Sequence, residues 1–571
     1  MDTELDMGKY SVKKSKKPRA AGSQTSGWTT TAGTSTIPES LISDMNNLKI
    51  ARGRLERYAA EAGDERYLSQ SSNNRLEANT KILREKAITA ALDNIKRSMN
   101  VDLCFVLDCT GSMSSHISAA KDCIIQVVDY MERTNPSIKI WVGFCGYRDY
   151  CDGHKRLETF NFTDSYDQFR RYVRNVQATG GGDVPEDVLG GLNAAITKMN
   201  WSHTTRVILH VGDAPPHGRR FTDEQDDYPK GDPSGLTAES VLGKMKSSNI
   251  LYFFGKITQC TNKMLRIFRE IIGEFPVFDL EDVGGNPTSL IAKFFQATCS
   301  AISSSVSLTS TLGNNIYELR RKDFDINPIE PNWHSIRQQA GTVAWYKVPK
   351  TLADIKNKEY FNQLNTITQK ISFKIAPQPF SVGAERYAYF GLNVTGVPAE
   401  RMVIKEYLDS GKKANSIERY LEAVEVSNIA HFLSLKFNLA ATRAGIQKKV
   451  KFLHVKFLSI TNGTRYYNVE PKISNAEFKR FNVNSGVITE FHSTLEAFAH
   501  FTYDFTGGYL LVCDLQGAEF SNHFLLTDPA IHCTDSLRFG RTNLGKRGIE
   551  KCFLINHKCG SVCNKLGLKA P

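Results

Sequence analysis

The hydrophobic pattern changes twice along the chain. Between residues 101 and 305, continuous apolar runs such as VDLCFVLD and RVILHVGD alternate with segments of helical length, for example residues 186–199. Short continuous apolar runs are typical of parallel strands that are buried on both faces. Strands that alternate with helices predict a parallel sheet covered on both sides, so we expect a doubly wound, Rossmann-like α/β domain. Residues 290–304 should form its closing helix.

A helical periodicity precedes this domain, in residues 39–100. Apolar side chains recur there at spacings of four, three and four, which places on one helix face the residues Ile88, Leu92, Ile95 and Met99. This face leaves two arrangements open, a coiled coil that joins two copies of the chain or a helical hairpin that caps the next domain. Residues 1–38, rich in Ser, Thr, Gly and Lys, are expected to be a disordered basic tail.

The pattern changes again after the α/β domain. A polar linker is expected at 306–340, and from 341 to 571 strand-like and helical segments mix without regular alternation. Such mixing predicts an α+β domain. The chain of 571 residues is therefore expected to be multidomain, in agreement with its length.

The composition is that of an ordinary globular protein with an excess of positive charge. Hydrophobic residues make up 41% and charged residues 23%, and the formal net charge is +12. A basic cluster in the first 20 residues leaves open a nuclear address, a contact with an anionic membrane or a solvated tail. No helix-turn-helix, finger array or aromatic basic groove accompanies the charge, so no nucleic-acid partner is expected.

Two further features bear on location. No apolar run approaches the ~20 residues that a membrane-spanning helix requires, and the N-terminus MDTELDMGKY lacks the apolar core of a signal peptide. We therefore expect a cytoplasmic protein whose membrane contact, if any, is peripheral. Its 12 cysteines are then expected to be free thiols or metal ligands rather than disulfides.

Oxygen-bearing side chains follow the first predicted strand. Asp108, Thr110 and Ser112 occupy every second position of the loop DCTGS. Ligands of open α/β sheets gather at the carboxyl ends of strands. Two later loops could converge there, because Thr179 precedes GGGD and Asp213 ends RVILHVGD. A carboxylate with hydroxyl groups suits a hard cation such as Mg²⁺.

These loops resemble the metal-ion-dependent adhesion site (MIDAS) of von Willebrand factor A domains. DCTGSM, ATGGGDVPED and VGDAPPHG occur in the order of that site, and a Thr replaces the first Ser of its usual D-x-S-x-S pattern. Such sites bind a partner's carboxylate as the open metal ligand, so an acidic protein partner is expected. The metal contacts that the resemblance implies are Asp108, Thr110, Ser112, Thr179 and Asp213.

The C-terminal region lacks the H-R-D, D-F-G and A-P-E motifs of conventional protein kinases, yet its residues suit phosphoryl transfer. Asp514 is expected inside the apolar strand YLLVCDL and two residues before Gln516, so that both side chains share a face. Asp528 follows in a turn, and two acids with an amide can hold Mg²⁺ and orient a hydroxyl nucleophile. The loop GRTNLGK at 540–546 has glycines that let backbone amides approach a phosphate.

Residues 350–571 closely resemble the alpha-kinases, the atypical protein kinases that include myosin heavy chain kinases and elongation factor 2 kinase. GAERYAYFG, RMVIKEY, NVEPKI and FNVNSG match the first half of that family, and CDLQG, LTDPAIH, FGRTNLGKRGI and HKCGSVCNKLGL match the second half. The resemblance implies a serine/threonine protein kinase that uses ATP and Mg²⁺.

The resemblance also implies the roles of single residues in nucleotide binding. Lys405 would bind the phosphates of ATP with the help of Arg386, and Glu470 would contact the adenine. The glycine loop would serve both phosphate and peptide substrate through Gly540, Thr542, Asn543, Gly545 and Lys546.

In catalysis, the resemblance places a catalytic acid at Asp514 and metal ligands at Gln516 and Asp528. Which of Asp514 and Asp528 handles the proton of the substrate stays open at this point.

A third group of residues could hold zinc. His557, Cys559 and Cys563 form an H-x-C-x₃-C run, and His500 lies upstream in AFAHFTY. Two imidazoles and two thiolates suit tetrahedral Zn²⁺, and a closed set would be structural. The run does not have a common zinc-finger spacing, and it is the alpha-kinase resemblance that implies zinc ligands at these four positions.

The sequence therefore predicts a kinase whose A domain recruits a substrate, a scaffold or a second copy of the chain through its metal. The alternative is a binding scaffold with an inert kinase fold, which the intact candidate site residues disfavour. Alpha-kinases act on proteins as different as myosin tails and a translation factor. A substrate that resembles myosin heavy chain is thus one candidate, and the sequence does not name the physiological one.

Overall fold

The structure is a computed structural model of the protein. It describes residues 47–61, 73–281, 286–312, 317, 326–361, 365–383, 385–408, 416–461, 463 and 465–570. The predicted basic tail at 1–38 lies outside these residues, as do the first residues of the predicted helical segment. Within the described ranges, every helix is too short or too polar to cross a membrane.

The first domain is built on a sheet of six strands, which are β1 (Asn100–Asp108), β2 (Lys139–Tyr147), β3 (Leu157–Thr163), β4 (Thr205–Gly212), β5 (Ile250–Lys256) and β6 (Val277–Asp279). Their order is β3-β2-β1-β4-β5-β6. Neighbours are parallel except β2 and β3, which are antiparallel. Five strands coincide with predicted apolar runs. The edge strand β3 was not predicted because LETFNFT mixes polar and apolar residues.

Eight helices precede or surround this sheet among the described residues. They are α1 (Asn47–Glu61), α2 (Asn73–Ser98), α3 (Ser114–Thr134), α4 (Tyr166–Asn175), α5 (Val188–Lys198), α6 (Ala238–Ser247), α7 (Asn262–Ile272) and α8 (Pro287–Leu312). Successive residues of a strand face opposite sides. Leu103 and Phe105 of β1 accordingly pack with α2, α3, α4 and α8, whereas Cys104 and Val106 pack with α5, α6 and α7. Helices thus cover both faces of the sheet.

The closing helix is longer than the predicted 290–304, since α8 ends at Leu312. The sequence SSSVSLTST suggested a linker from 306 onwards, but Ser303, Ser305 and Val306 are buried. The Ser303 hydroxyl donates to the carbonyl of Cys299 one turn earlier. This hydrogen bond allows the polar side chain to be buried. The second domain also begins slightly earlier than predicted, at Gln339 instead of 341.

The second domain begins with strands that close into a ring. Its strands are β7 (Gln339–Tyr346), β8 (Thr366–Ile375), β9 (Ser381–Val382), β10 (Arg386–Asn393), β11 (Glu400–Tyr407), β12 (Lys449–Phe452), β13 (Lys456–Ile460), β14 (Tyr466–Pro471), β15 (Phe478–Arg480), β16 (Leu510–Cys513), β17 (Gln516–Glu519), β18 (His523–Thr527) and β19 (Ala530–Cys533). Neighbouring strands are antiparallel and follow the order β11-β14-β13-β7-β8-β10. Strand β10 also pairs with β11, which closes the ring. The ring therefore brings β10, β11 and β14 side by side.

The rest of this domain packs around one long helix. The helices are α9 (Leu352–Lys356), α10 (Ile417–Arg443), α11 (Ser493–Phe505), α12 (Gly545–Gly548) and α13 (Ser561–Lys565). The 27-residue α10 shares a hydrophobic cluster with the four-stranded sheet β12-β18-β17-β15 and the pair β16-β19. The mixture of separate sheets and helices is the α+β arrangement that the sequence predicted.

Helix α2 connects the two domains. Its predicted apolar face is buried, as expected from the spacing of Ile88, Leu92, Ile95 and Met99. The same hydrophobic cluster contains four residues of the second domain, Val483, Val487, Leu544 and Cys552. Because this face packs inside the chain, it does not form the coiled coil between copies that was also considered. Helices α1 and α2 pack on each other and on the second domain instead.

Candidate active site and metal centres

Two aspartates of the second domain have backbone conformations that are uncommon outside glycine. The φ angle is 54° at Asp514 and 49° at Asp528, and such residues concentrate at functional sites. One prediction is corrected here, because Asp514 does not lie within a strand. Strand β16 ends at Cys513, and β17 starts at Gln516 after a left-handed turn. The turn, and not strand alternation, directs the carboxylate of Asp514.

Asp528 is the centre of an ion-pair network. Its Oδ2 accepts a hydrogen bond from Nζ of Lys405 at 2.6 Å, and its Oδ1 accepts one from Nη2 of Arg386 at 2.8 Å. Lys405 Nζ also donates to Oε1 of Glu470 at 2.5 Å, while the Thr527 hydroxyl donates to Oε2 of Glu470. Strands β10, β11 and β14 of the ring thus carry two cations and one acid to the turn that follows β18.

The network shifts the pKa of its two acids in opposite directions. Burial disfavours the charge of Asp528, but Arg386 and Lys405 hold the pKa of Asp528 down at about 2. Burial raises the pKa of Glu470 against the pull of Lys405. Asp528 is therefore an anion at neutral pH. Both carboxylate oxygens of Glu470 have partners in the protein, and its contact with adenine stays a prediction.

Arg480 joins Asp514 to Gln516, and Gln516 connects this group to the turn at Asp528. Oε1 of Gln516 accepts a hydrogen bond from Nη2 of Arg480 at 3.0 Å, and Nε of Arg480 lies 3.7 Å from Oδ1 of Asp514. Nε2 of Gln516 donates to the backbone carbonyl of Asp528 at 3.2 Å. Burial raises the pKa of Asp514 to about 6, although Arg480 opposes this shift. Arg480 was not predicted, because nothing in FKRFNVNSG distinguishes it from a surface arginine.

In the glycine loop, Asn543 has a different role from the predicted phosphate contact. Its Oδ1 accepts hydrogen bonds from the amides of Cys533 and Gly545, both at 2.8 Å. Its Nδ2 donates to the carbonyls of Asp535 and Arg538, both at 2.8 Å. These four bonds use the whole side-chain amide. Asn543 therefore shapes the loop instead of binding phosphate.

Lys546 contacts another side chain in this structure, and its phosphate contact stays a prediction. Its side chain is exposed, and its ammonium group lies 3.6 Å from Glu550 in the next helical turn. The loop does reach the edge of the ion-pair network, since the Arg541 guanidinium contacts the carboxylate of Glu385, the neighbour of Arg386. Gly540 and Gly545 adopt φ angles of 78° and 68°, which shape the two ends of the loop. The role of Thr542 stays a prediction.

The four predicted zinc ligands converge. The potential ligand atoms of His500, His557, Cys559 and Cys563 all lie within 4.8 Å of one another. Sγ of Cys559 lies 3.7 Å from Nδ1 of His500, and Sγ of Cys563 lies 3.6 Å from Nε2 of His557. With bonds of about 2.0 Å to nitrogen and 2.3 Å to sulfur, tetrahedral Zn²⁺ sets neighbouring N and S ligands about 3.5 Å apart. The donor set therefore fits zinc.

In the first domain, the predicted metal loop surrounds Asp108. Oδ1 of Asp108 accepts hydrogen bonds from the amide of Thr110 at 2.9 Å and from its hydroxyl at 2.6 Å, and the Ser112 hydroxyl lies 3.3 Å from that of Thr110. Oδ2 of Asp108 is buried and has no partner in the described part of the chain. The amide of Thr179 donates to Cys109 at 3.0 Å, which fixes the second loop beside the first.

The acids of this site repel one another. Burial, together with the charge of Asp213, raises the pKa of Asp108 to about 7. Glu186, which was not predicted, is also buried, and burial and the charge of Asp108 raise its pKa to about 10. The sequence feature that could have identified Glu186 is its place in ATGGGDVPED, two residues after Val184. Asp108 and Glu186 are thus two acids whose charge is disfavoured, each with a buried oxygen that has no partner among the described residues, and they fit a site for a hard cation.

A second cluster of potential metal ligands in this domain is held together by hydrogen bonds instead of a metal. Asp149, Asp183 and His217 present ligand atoms within 4.8 Å of one another. However, Nε2 of His217 contacts Oδ1 of Asp149 and Nδ1 contacts Oδ1 of Asp226, both at 2.8 Å. Although burial opposes it, these bonds raise the pKa of His217. His217 therefore links two loops, and neither ring nitrogen is left for a metal.

Comparisons with known proteins agree with this division of the chain. The family model of the alpha-kinase family matches residues 381–563, and that of the von Willebrand factor A domain matches residues 102–226. The chain is 34% identical over 507 residues to the alpha-protein kinase vwkA of Dictyostelium discoideum. This alignment covers 86% of the chain and 80% of that relative.

Other relatives are similar over a smaller part of the chain. Myosin heavy chain kinase B of Dictyostelium discoideum is 33% identical over 201 residues, which are 34% of this chain and 26% of that kinase. A solved alpha kinase from Entamoeba histolytica is 29% identical with a TM-score of 0.35, and the match covers 42% of this chain and 94% of the solved chain.

Proposed function

The chain belongs to the alpha-kinase family and is an alpha-protein kinase with a von Willebrand factor A domain, and we propose that it phosphorylates serine or threonine residues of a protein recruited by the A domain. The observation that carries the kinase half of this proposal is the network around Asp528. It brings two cations and an anionic carboxylate together at the turn after β18.

The cations and the oxygen ligands of the network suit different parts of phosphoryl transfer. Asp528 holds Lys405 and Arg386 side by side, where their charges could stabilise the triphosphate of ATP. Positioning and charge stabilisation are what a protein contributes to this reaction. Mg²⁺, when bound, would neutralise phosphate charge. The carboxylate of Asp528 and the side-chain oxygen Oε1 of Gln516 would supply the hard oxygen ligands that Mg²⁺ prefers.

The two aspartates differ enough to be given separate roles. A general base works best when its pKa lies near the working pH. The pKa of Asp514 at about 6 fits the acceptor of the substrate's hydroxyl proton, whereas the pKa of Asp528 at about 2 makes it a weak base. We therefore assign the substrate proton to Asp514 and the metal to Asp528.

An inert scaffold is the less well supported alternative. It would need no network of this kind, and it leaves the uncommon backbone at both aspartates unexplained. A direct test is autophosphorylation of the purified chain with labelled ATP. A panel of a myosin tail and a generic basic peptide would then separate a myosin-heavy-chain-like preference from a broad one.

We further propose that the A domain holds Mg²⁺ or Mn²⁺ through Asp108 and its neighbouring hydroxyls, and that an acidic side chain of a partner completes the metal's coordination. The support is the buried oxygen of Asp108, which has no partner among the residues that the structure describes, and the repulsion between Asp108 and Asp213. A cation would relieve both. This site lies in a different domain from the catalytic aspartates, so recruitment and catalysis should be separable.

Replacing Asp108 by asparagine should raise the melting temperature of the metal-free chain and remove its stabilisation by Mg²⁺. Asparagine keeps the acceptor for Thr110 but removes the cost of burying a charged carboxylate and its repulsion by Asp213, together on the order of 1–3 kcal/mol, since one unit of pKa corresponds to about 1.4 kcal/mol. A bound cation stabilises the native state by mass action, and the variant should lose that effect. Thermal unfolding with Mg²⁺ and with EDTA measures both changes.

The same variant should lose Mg²⁺-dependent capture of partner proteins and keep its turnover of a basic peptide. The matched control is Asp122→Asn, which removes an exposed carboxylate from α3 of the same domain. If peptide turnover collapses while capture persists, the A domain regulates the kinase and does not recruit for it.

A further inference from the structure

Two helices upstream of the A domain contact the glycine loop of the kinase domain. Arg84 of α2 is buried and directs its guanidinium at the backbone of this loop. Its Nη2 lies 3.0 Å from the carbonyl oxygen of Gly540, 2.9 Å from that of Arg541 and 2.6 Å from that of Asn543. Its Nε donates to the carbonyl of Ser536 at 3.3 Å. One side chain thus binds four carbonyls of the loop and its approach.

The face of α2 around Arg84 continues this contact. Ile88, one turn further along, lies so close to Gly545 that a Cβ atom on that glycine would be 3.5 Å from its Cδ1. The hydroxyl of Thr89 accepts a hydrogen bond from Nη1 of Arg547 at 2.7 Å. Residues four apart share a helix face. The contact therefore involves several residues on one face of α2 and not a single hydrogen bond.

Helix α1 contacts the same loop, at Gly540. The hydroxyl of Tyr58 accepts a hydrogen bond from the amide of Gly540 at 2.9 Å and donates one to Oε1 of Glu422 at 2.5 Å. Arg57 forms an ion pair with Glu422 at 2.5 Å, and Arg54 pairs with Glu425 at 2.9 Å. Both glutamates belong to α10, so α1 is anchored on the central helix of the kinase domain.

The loop needs such partners because of its own backbone. Phe539 and Gly540 have φ angles of 67° and 78°, and this left-handed pair turns carbonyl groups away from regular hydrogen bonding. Backbone carbonyls inside a protein require donors, and a guanidinium group makes stronger hydrogen bonds than a neutral donor. Arg84 supplies charged donors to four carbonyls of this segment, of which that of Gly540 also accepts a hydrogen bond from the amide of Asn543 at 3.3 Å.

The loop in turn reaches the catalytic network. Arg541 contacts Glu385, and the adjacent Arg386 holds Asp528 at 2.8 Å. We propose that α1 and α2 form a clamp, an integral part of the kinase domain that holds residues 536–545 in the arrangement needed for phosphate transfer. Arg84 and Tyr58 are its positioning residues. The contacts described above join them to the loop and to α10, and they act on the catalytic network through the loop.

The test compares Arg84→Ala with Arg97→Ala in the full chain, because Arg97 is an exposed arginine of the same helix. Arg84→Ala should lower kcat/KM for a basic peptide by about 10- to 100-fold, the range expected when a positioning contact is lost. Amide hydrogen exchange in residues 536–545 should become at least about tenfold faster. Affinity for ADP and zinc content should match those of Arg97→Ala.

Arg84→Lys keeps the charge with fewer donors and should give an intermediate rate and intermediate exchange. The clamp is refuted if Arg84→Ala turns over peptide like Arg97→Ala, or if its loss of activity comes with an equal loss of ADP binding and a general fall in stability. The inference rests on the kinase activity proposed above. An inactive wild-type chain would refute that activity, whereas unchanged loop exchange in Arg84→Ala would refute the clamp alone.

Discussion

Asp528→Asn should reduce the rate of phosphate transfer to a peptide by at least about 1,000-fold, because charge stabilisation at the transferred phosphate is worth several kcal/mol. The substitution keeps the size of the side chain and removes its charge. Lys405 and Arg386 then lose their common anion, and the Mg²⁺ ligand proposed here becomes a neutral amide. Single-turnover assays with labelled ATP, at Mg²⁺ concentrations up to tens of millimolar, measure the loss.

Glu550→Gln is the matched control for this variant, since it removes an exposed acid that contacts only the side chain of Lys546 in the described structure. Asp528→Asn should also melt a few degrees lower, because Arg386 and Lys405 lose the anion that they share, although Lys405 retains its bond to Glu470. Its zinc content should be unchanged. Turnover within tenfold of the control would contradict the assignment of Asp528.

Cys563→Ser should abolish the soluble, folded kinase domain at 37 °C. Structural zinc contributes folding free energy directly, on the order of 10 kcal/mol in small domains, and Cys563 is 2% exposed. The site ties α13 to α11, which carries His500. We expect one zinc per chain by elemental analysis of the wild type, and strong chelation should cause the same unfolding as the substitution.

The control for the zinc prediction is Cys260→Ser, which changes an exposed cysteine of the A domain. It should retain zinc, solubility and activity. Active, soluble Cys563→Ser protein that contains no metal would show that the four ligands do not form a structural zinc site.

Much of the first domain could be predicted because each buried strand leaves a continuous apolar run. The prediction failed where polar residues lie in a strand or are buried in a helix. Strand β3 lies at the sheet edge and reads as mixed, and the serines of α8 are buried because their hydroxyls bond within their own helix. The alpha-kinase and A-domain family assignments were confirmed by the comparisons, because long ordered motifs carried both resemblances.

The candidate site was predicted in part. The residues Arg386, Lys405, Glu470 and Asp528 come together, although more than 100 positions separate the first from the last. The failures have a common physical origin, since a side chain's partners are set by tertiary packing. Asn543 resembled a phosphate ligand but is used by its own loop, and Asp514 resembled a strand residue but lies in a left-handed turn. Arg84 lies in no distinctive motif, and Glu186, although it lies in ATGGGDVPED, could not be told from the other acids of that segment.

The contact between the two domains has a consequence for the lifetime of the protein. Asn135, at the end of α3, donates to the carbonyl of Ile488 at 3.0 Å and accepts from its amide at 2.7 Å, beside the hydrophobic cluster that both domains share. Opening either domain would expose apolar surface of the other and break both of these hydrogen bonds. A protease or chaperone that engages a loosened A domain would therefore also gain access to the kinase. The survival of the catalytic half in a cell then depends on the integrity of the A domain, even under conditions where no partner is bound.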